Sequence, residues 1–166
     1  MANKPQLLYW DSCVFLSYID EEVGRVDVIE AIFAEVQKSN GSRKIVTSIA
    51  SMTEVAYSSQ EKSRRILDAA TLSKIDHLWG DPSVLVFVEY HEGIARIARN
   101  LMREAVSKQY KLTPLDAIHL ASAKWLSVHE FQTYDHGLKK YTTMISCTIC
   151  EPYVAQLQLP GITLSP

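Results

Sequence analysis

Leu7-Leu8-Tyr9-Trp10-Asp11-Ser12-Cys13-Val14-Phe15-Leu16-Ser17-Tyr18-Ile19 sets the architecture of this chain. Four apolar or aromatic residues in a row, cut off by an acid and a serine, read as a buried strand. Ser12 then opens a helix, so strand passes into helix at Asp11. Outward from there the alternation repeats. Val28, Ile29, Ile32, Phe33 and Val36 have helical spacing, and Asn40-Gly41 supplies a stop. Residues 44–47 predict a second strand, Ser51 starts a helix to Tyr57, and a further helix is expected over 60–79. Asp81-Pro82 breaks the chain before Val84-Leu85-Val86-Phe87-Val88, a continuous apolar run that suits a strand covered on both faces.

A long helix follows, with Ile94, Ile97, Leu101 and Ala105 on its inner face, and Thr113-Pro114 opens the next, ending near Leu126. Strands are expected over 130–134 and 145–150. Beyond Pro152 the pattern is weak, and residues 152–166 read as loosely packed or partner-binding. Strands alternating with helices imply one α/β domain over 1–166, three layers deep (α/β/α), with a central, mostly parallel sheet.

Composition sets limits. A chain of 166 residues, 47% hydrophobic, can bury a real core and is not a disordered sequence. No apolar run approaches the roughly 20 residues that span a bilayer, and residues 1–5 lack a secretory stretch. A cytoplasmic, membrane-free protein is expected. Three cysteines fit a reducing compartment, and Cys147 and Cys150 have no second pair to complete a zinc site. They read as inert, partly buried thiols. A net charge of −2 and a pI near 6.2 argue against a purely electrostatic nucleic-acid binder, so any such role needs local basic patches.

Four acids, Asp11, Glu54, Asp116 and Asp135, sit where the chain leaves a strand or enters a helix. In an open parallel sheet, ligands bind beyond the carboxyl ends of the strands. Two carboxylates about 5 Å apart repel by about 3 kcal/mol at an effective dielectric near 20. Four gathered together must be protonated, hydrated or bound to a cation. The hard oxygen donors suit Mg²⁺ or Mn²⁺. Each acid also has an ordinary explanation. Ser51-Met-Thr-Glu54 and Thr113-Pro-Leu-Asp116 match capping boxes, and Asp11 and Asp135 could cap the helices after them.

The ordered segments Leu8-Tyr9-Trp10-Asp11-Ser12-Cys13-Val14, Thr47-Ser48-Ile49-Ala50-Ser51-Met52-Thr53-Glu54-Val55, Leu115-Asp116-Ala117-Ile118-His119-Leu120-Ala121-Ser122-Ala123 and Thr133-Tyr134-Asp135 resemble the PIN-domain nucleases, most of all the VapC-like toxins of bacterial toxin–antitoxin pairs. The resemblance covers about residues 6–145. It implies a PIN-like parallel sheet between helices, and Mg²⁺- or Mn²⁺-dependent cleavage of RNA by a homodimer that an antitoxin silences. It gives Asp11, Glu54, Asp116 and Asp135 the metal and catalytic role, and Ser12 and Thr133 a supporting one. Cys13 departs from the family, which often has a polar residue such as Asn there.

Arg96, Arg99 and Arg103 lie at helical spacing away from Ile94 and Ile97 and are candidate phosphate contacts, or else a solvated helix face. Lys62, Arg64 and Arg65 form a second basic cluster, read as ordinary surface. His119, one turn after Asp116, either approaches the site or is a buried core histidine. No zinc-protease helix, nucleophile elbow or phosphate-binding loop is present. Three functions stay open: a toxin endoribonuclease, an RNA processing or decay nuclease without an antitoxin, and a non-catalytic interaction module whose acids are caps.

Overall fold

The computed structural model describes residues 4–154. Five strands form one sheet: β1 (Gln6–Trp10), β2 (Arg43–Ser48), β3 (Leu85–Val88), β4 (Glu130–Gln132) and β5 (Thr148–Cys150). Their order is β3-β2-β1-β4-β5 and every pairing is parallel. The connecting helices are α1 (Ser12–Ile19), α2 (Val26–Lys38), α3 (Ser51–Glu54), α4 (Ser59–Arg64), α5 (Ala69–Trp79), α6 (Glu92–Ser107), α7 (Pro114–Leu126) and α8 (Thr142–Ile145). A 3₁₀ turn spans His136–Tyr141. The result is the expected three-layer α/β/α fold.

Alternate residues of β1 feed two cores, because successive side chains of a strand point to opposite faces. Tyr9 faces the helices α6 and α7, among Ile94, Leu101, Leu120 and Phe131. Leu8 and Trp10 face α1, α2 and α5, among Phe15, Ile29, Ile32 and Ile75. Trp10 packs 5.1 Å from Phe33 and 5.5 Å from Phe15, and its indole N–H donates to Gln132 Oε1 at 2.7 Å. Truncating a buried tryptophan of this kind costs about 3–5 kcal/mol.

β1 is the centre of the sheet, and the chain turns to opposite sides of it, to β2 and to β4. The carboxyl ends of β1 and β4 therefore flank a topological switch point, the place where such sheets bind ligands. Asp11 follows β1, and Asp135 lies just past β4.

Several local expectations are corrected. The helix expected over 60–79 is two helices. Arg65 adopts a left-handed φ of 54°, Glu61 accepts the Asp68 N–H at 2.6 Å, and Asp68 recaps α5 by accepting the Thr71 N–H at 2.8 Å. The reciprocal capping box lies at Ser58 and Glu61, not at Ser51 and Glu54. Ser51 is already inside α3 and its hydroxyl pairs with Thr47 Oγ1 at 2.7 Å. β3 is an edge strand, with Val86 37% exposed, rather than a strand covered on both faces. The strand expected over 145–150 shrinks to β5, because residues 142–145 form α8. The part of the tail from residue 155 onward lies outside the described residues. Among the described residues, no helix is long and apolar enough to cross a membrane.

Candidate active site at the carboxyl ends of the strands

Asp11 is the best-held acid. It is 6% exposed and caps α1, accepting the Ser12 N–H through Oδ1 at 2.8 Å. The Thr133 hydroxyl donates to its Oδ2 at 2.9 Å, and the same hydroxyl oxygen accepts the Asp135 N–H at 2.9 Å. Thr133 thus ties the ends of β1 and β4 together. Cys13, the departure from the family pattern, fills a polar position after all. Its thiol lies 3.3 Å from Asp11 Oδ2 and 3.1 Å from Thr133 Oγ1, and its sulfur accepts the Tyr134 N–H at 3.3 Å. Burial, and then the charge of Asp11, push that thiol up to about 12.

Glu54 ends α3, and Asp116 stands in the first turn of α7. Thr113 caps α7: its Oγ1 accepts the Asp116 N–H at 3.2 Å and donates to Asp116 Oδ2 at 2.6 Å. This is half a capping box, because the carboxylate takes the cap hydroxyl rather than the cap backbone. Asp135 caps the 3₁₀ turn by accepting the Gly137 N–H through Oδ1 at 2.7 Å.

His119 joins these elements. It is 1% exposed, and its Nε2 lies 2.5 Å from Glu54 Oε2 and 3.9 Å from Asp11 Oδ1. A carboxylate only accepts, so Nε2 carries a proton and donates to Glu54. Nδ1 lies 2.8 Å from the Tyr9 hydroxyl, which in turn accepts the Ser48 N–H at 3.0 Å. Burial pulls the imidazole down. The Glu54 hydrogen bond and the charges of Asp11, Glu54 and Asp116 outweigh it and hold the group above its ordinary value. His119 is therefore both a buried histidine and part of the site, two roles that the sequence poses as alternatives. Tyr9 is a site residue that the sequence reading misses. The available signal was its place in a buried strand, since a buried tyrosine hydroxyl usually finds a partner.

Three of the acids share one geometry. Glu54, Asp116 and Asp135 are each anchored through one carboxylate oxygen. Among the described residues, Glu54 Oε1, Asp116 Oδ1 and Asp135 Oδ2 accept no hydrogen bond. None of the four acids pairs with a Lys or Arg among those residues. Nor do any three His, Cys, Asp or Glu side chains there form a group able to hold an ion by themselves. The donors suit a hard cation that keeps several of its waters and uses only one or two carboxylates, which is the habit of Mg²⁺.

The basic helix face is divided. Arg96 is taken up by Glu92, at 2.9 Å from Nε to Oε1, whereas Arg99 and Arg103 are exposed and form no ion pair among the described residues. Burial pushes Cys147 and Cys150 up to about 11 each. Both thiols should then be alkylated only slowly by iodoacetamide at pH 8 in the folded protein, because the thiolate is the nucleophile. Mass spectrometry before and after denaturation checks this; rapid labelling of the native chain would contradict it.

Residues 8–143 match the family model of the PIN domain, and the chain belongs to that family. Its fold is similar to that of VapBC2 from Rickettsia felis bound to a DNA fragment from their promoter. That match has 13% identity and a TM-score of 0.65, over 90% of this chain and 100% of that one. It is also similar to VapBC-1 from nontypeable Haemophilus influenzae, with 10% identity and a TM-score of 0.62 over 88% and 98%. A third likeness is to VapC20 of Mycobacterium tuberculosis, a Sarcin-Ricin loop cleaving toxin, with 12% identity and a TM-score of 0.58 over 78% and 90%. At such identities the likeness is one of fold. No curated protein matches the chain.

Proposed function

We propose that this protein is a Mg²⁺- or Mn²⁺-dependent endoribonuclease that acts as the toxin of a toxin–antitoxin pair. The observation that carries the reading is the pair of links that meet at Asp11: Thr133 ties it to Asp135, and His119 stands between it and Glu54. Glu54, Asp116 and Asp135 each keep one oxygen free, and no Lys or Arg neutralises the buried Asp11 among the described residues. Asp11 and Asp116, supported by Glu54 and Asp135, would hold a divalent ion, whose chemistry there would be charge neutralisation at the phosphorus centre and a lowered pKa of bound water.

The chain's own groups do the rest. The Ser12 N–H and the Thr133 hydroxyl fix Asp11 so that it loses no freedom when the ion arrives. Tyr9 and His119 hold Glu54 by Oε2, which leaves Oε1 to take the proton of the attacking water. The similar solved proteins favour an antitoxin as partner. A homodimer acting on RNA in the cytoplasm completes the proposal.

Thermal melts with and without Mn²⁺ test the site. At an ion concentration about 100-fold above Kd, the folded state gains about 2.7 kcal/mol, or roughly 5–11 °C in Tm for a chain of this size. No shift would favour a non-catalytic module with capping acids. Expression of the full chain in bacteria tests the biological role. Growth arrest relieved by a small co-expressed neighbour is the expected result, whereas harmless expression with RNA cleavage would make it a processing nuclease.

A further inference from the structure

The end of α6 does something the acid site does not require. Helix α6 closes in a Schellman turn. The Tyr110 N–H donates to Ala105 O at 2.8 Å and the Gln109 N–H to Val106 O at 3.0 Å, with Gln109 at a left-handed φ of 60°. This fold-back brings Tyr110 over the outer face of α6. There it lines a groove with Arg99, Met102, Arg103, Val106 and Leu112. The floor is apolar and two guanidinium groups flank it.

A second segment packs against Tyr110. The Tyr141 hydroxyl donates to Lys111 O at 2.8 Å, and the Tyr110 and Tyr141 rings meet edge to face at 5.8 Å. Lys140 Nζ sits 5.6 Å from the Tyr110 centroid and 5.2 Å from that of Tyr141, within cation–π range of both. Tyr110 is nevertheless 36% exposed. Arg99, Arg103, Lys111 and Lys140 are all exposed and form no ion pair among the described residues. The two segments stitched together here are the ones that carry acids of the site. Asp116 follows Tyr110 by six residues, and Asp135 precedes Lys140 by five.

We propose that the groove between Arg99, Arg103 and Tyr110, with Lys140 beside that ring and Lys111 next to it in sequence, binds single-stranded RNA and leads it towards Asp116 and Asp135. The proposal rests on the nuclease reading of those acids and deepens it by assigning the side chains that hold the strand. Four cations without acidic partners complement a polyanion, and they supply the local basic patch that a net charge of −2 otherwise denies the chain. An aromatic ring held in place by a helix cap and a neighbouring ring is a stacking platform for an unpaired base. A base already stacked in a duplex has no free face to offer it. The arginines give strength without sequence, and the tyrosine gives the preference for an unpaired strand.

Binding of a fluorescein-labelled 12-nucleotide RNA of mixed sequence, single-stranded or as a duplex, tests this with the full chain in EDTA, where cleavage is prevented. Tyr110→Ala should weaken single-strand binding roughly five- to a hundredfold, the loss typical of one stacked base, while Tyr110→Phe should bind as the native chain does. The Arg99→Gln/Arg103→Gln pair should lower the slope of log affinity against log salt by about 1.4, or about 0.7 for each phosphate that is no longer neutralised.

Should Tyr110→Ala melt early, the arginine pair and Lys140→Gln, all at exposed positions, carry the test. Unchanged affinity and slope in these variants, or equal affinity for duplex and single strand, would overturn the proposal. So would a change of oligomeric state at unchanged RNA affinity, which would give the groove to a second copy of this chain. Cleavage by the native chain in Mn²⁺ is scored separately. If it cleaves while the variants bind normally, only the groove assignment falls. If cleavage survives Asp11→Asn, the nuclease mechanism falls, and the binding data in EDTA still judge the groove.

Discussion

Asp11→Asn should leave the protein folded and reduce Mn²⁺-dependent RNA cleavage by about two to three orders of magnitude, as expected when several kcal/mol of charge stabilisation is lost. Asn keeps its carbonyl oxygen for the Ser12 N–H, so the cap of α1 can survive, and its amide NH2 then meets Thr133 Oγ1, which can accept there instead of donating. What goes is the negative charge at the switch point. Asp116→Asn should behave alike, and EDTA should stop the native enzyme reversibly. Cleavage assays beside thermal melts separate the outcomes. A variant that melts normally and still cleaves would remove Asp11 from the mechanism.

The second large effect should come from His119, a positioning residue that acts through Glu54. Its two ring nitrogens have separate partners, and two amides can mimic them one at a time. In His119→Gln the amide nitrogen falls near the Nε2 position and keeps a donor for Glu54 Oε2. In His119→Asn it falls near Nδ1 and keeps the Tyr9 hydrogen bond while abandoning Glu54. The Asn variant should lose about 10–100-fold in Mn²⁺ affinity and cleavage, the range typical when a group that orients a metal ligand is removed. The Gln variant should stay within a few-fold of the native chain. Mn²⁺ titration followed by electron paramagnetic resonance reads the affinity without relying on turnover. Equal losses in both variants would reduce His119 to a packing residue.

Much of this architecture was legible because it is local. An apolar strand ended by Asp11 shows in five consecutive residues, and Thr113-Pro114 marks the start of α7 as observed. The positions of the acids at strand exits and helix entries follow from such signals. What escaped was set by contacts between distant residues. Nothing near Arg65 signals a helix break, since no glycine or proline stands there. The break is held by the Glu61 carboxylate reaching the Asp68 backbone. Val84 to Val88 looks like a strand covered on both faces, yet its place at the edge depends on where β2 and β1 pair. Tyr9 and His119 each had to find a polar partner once buried, but neither sequence neighbourhood says that they find each other across 110 positions.

That separation has a consequence for synthesis. Thr133 closes on Asp11 across 122 positions, and His119 reaches Glu54 across 65. A nascent chain whose Thr133 is still inside the ribosome lacks the hydroxyl that clamps Asp11. On the toxin reading, translation products that stop before Thr133 should be harmless to the cell.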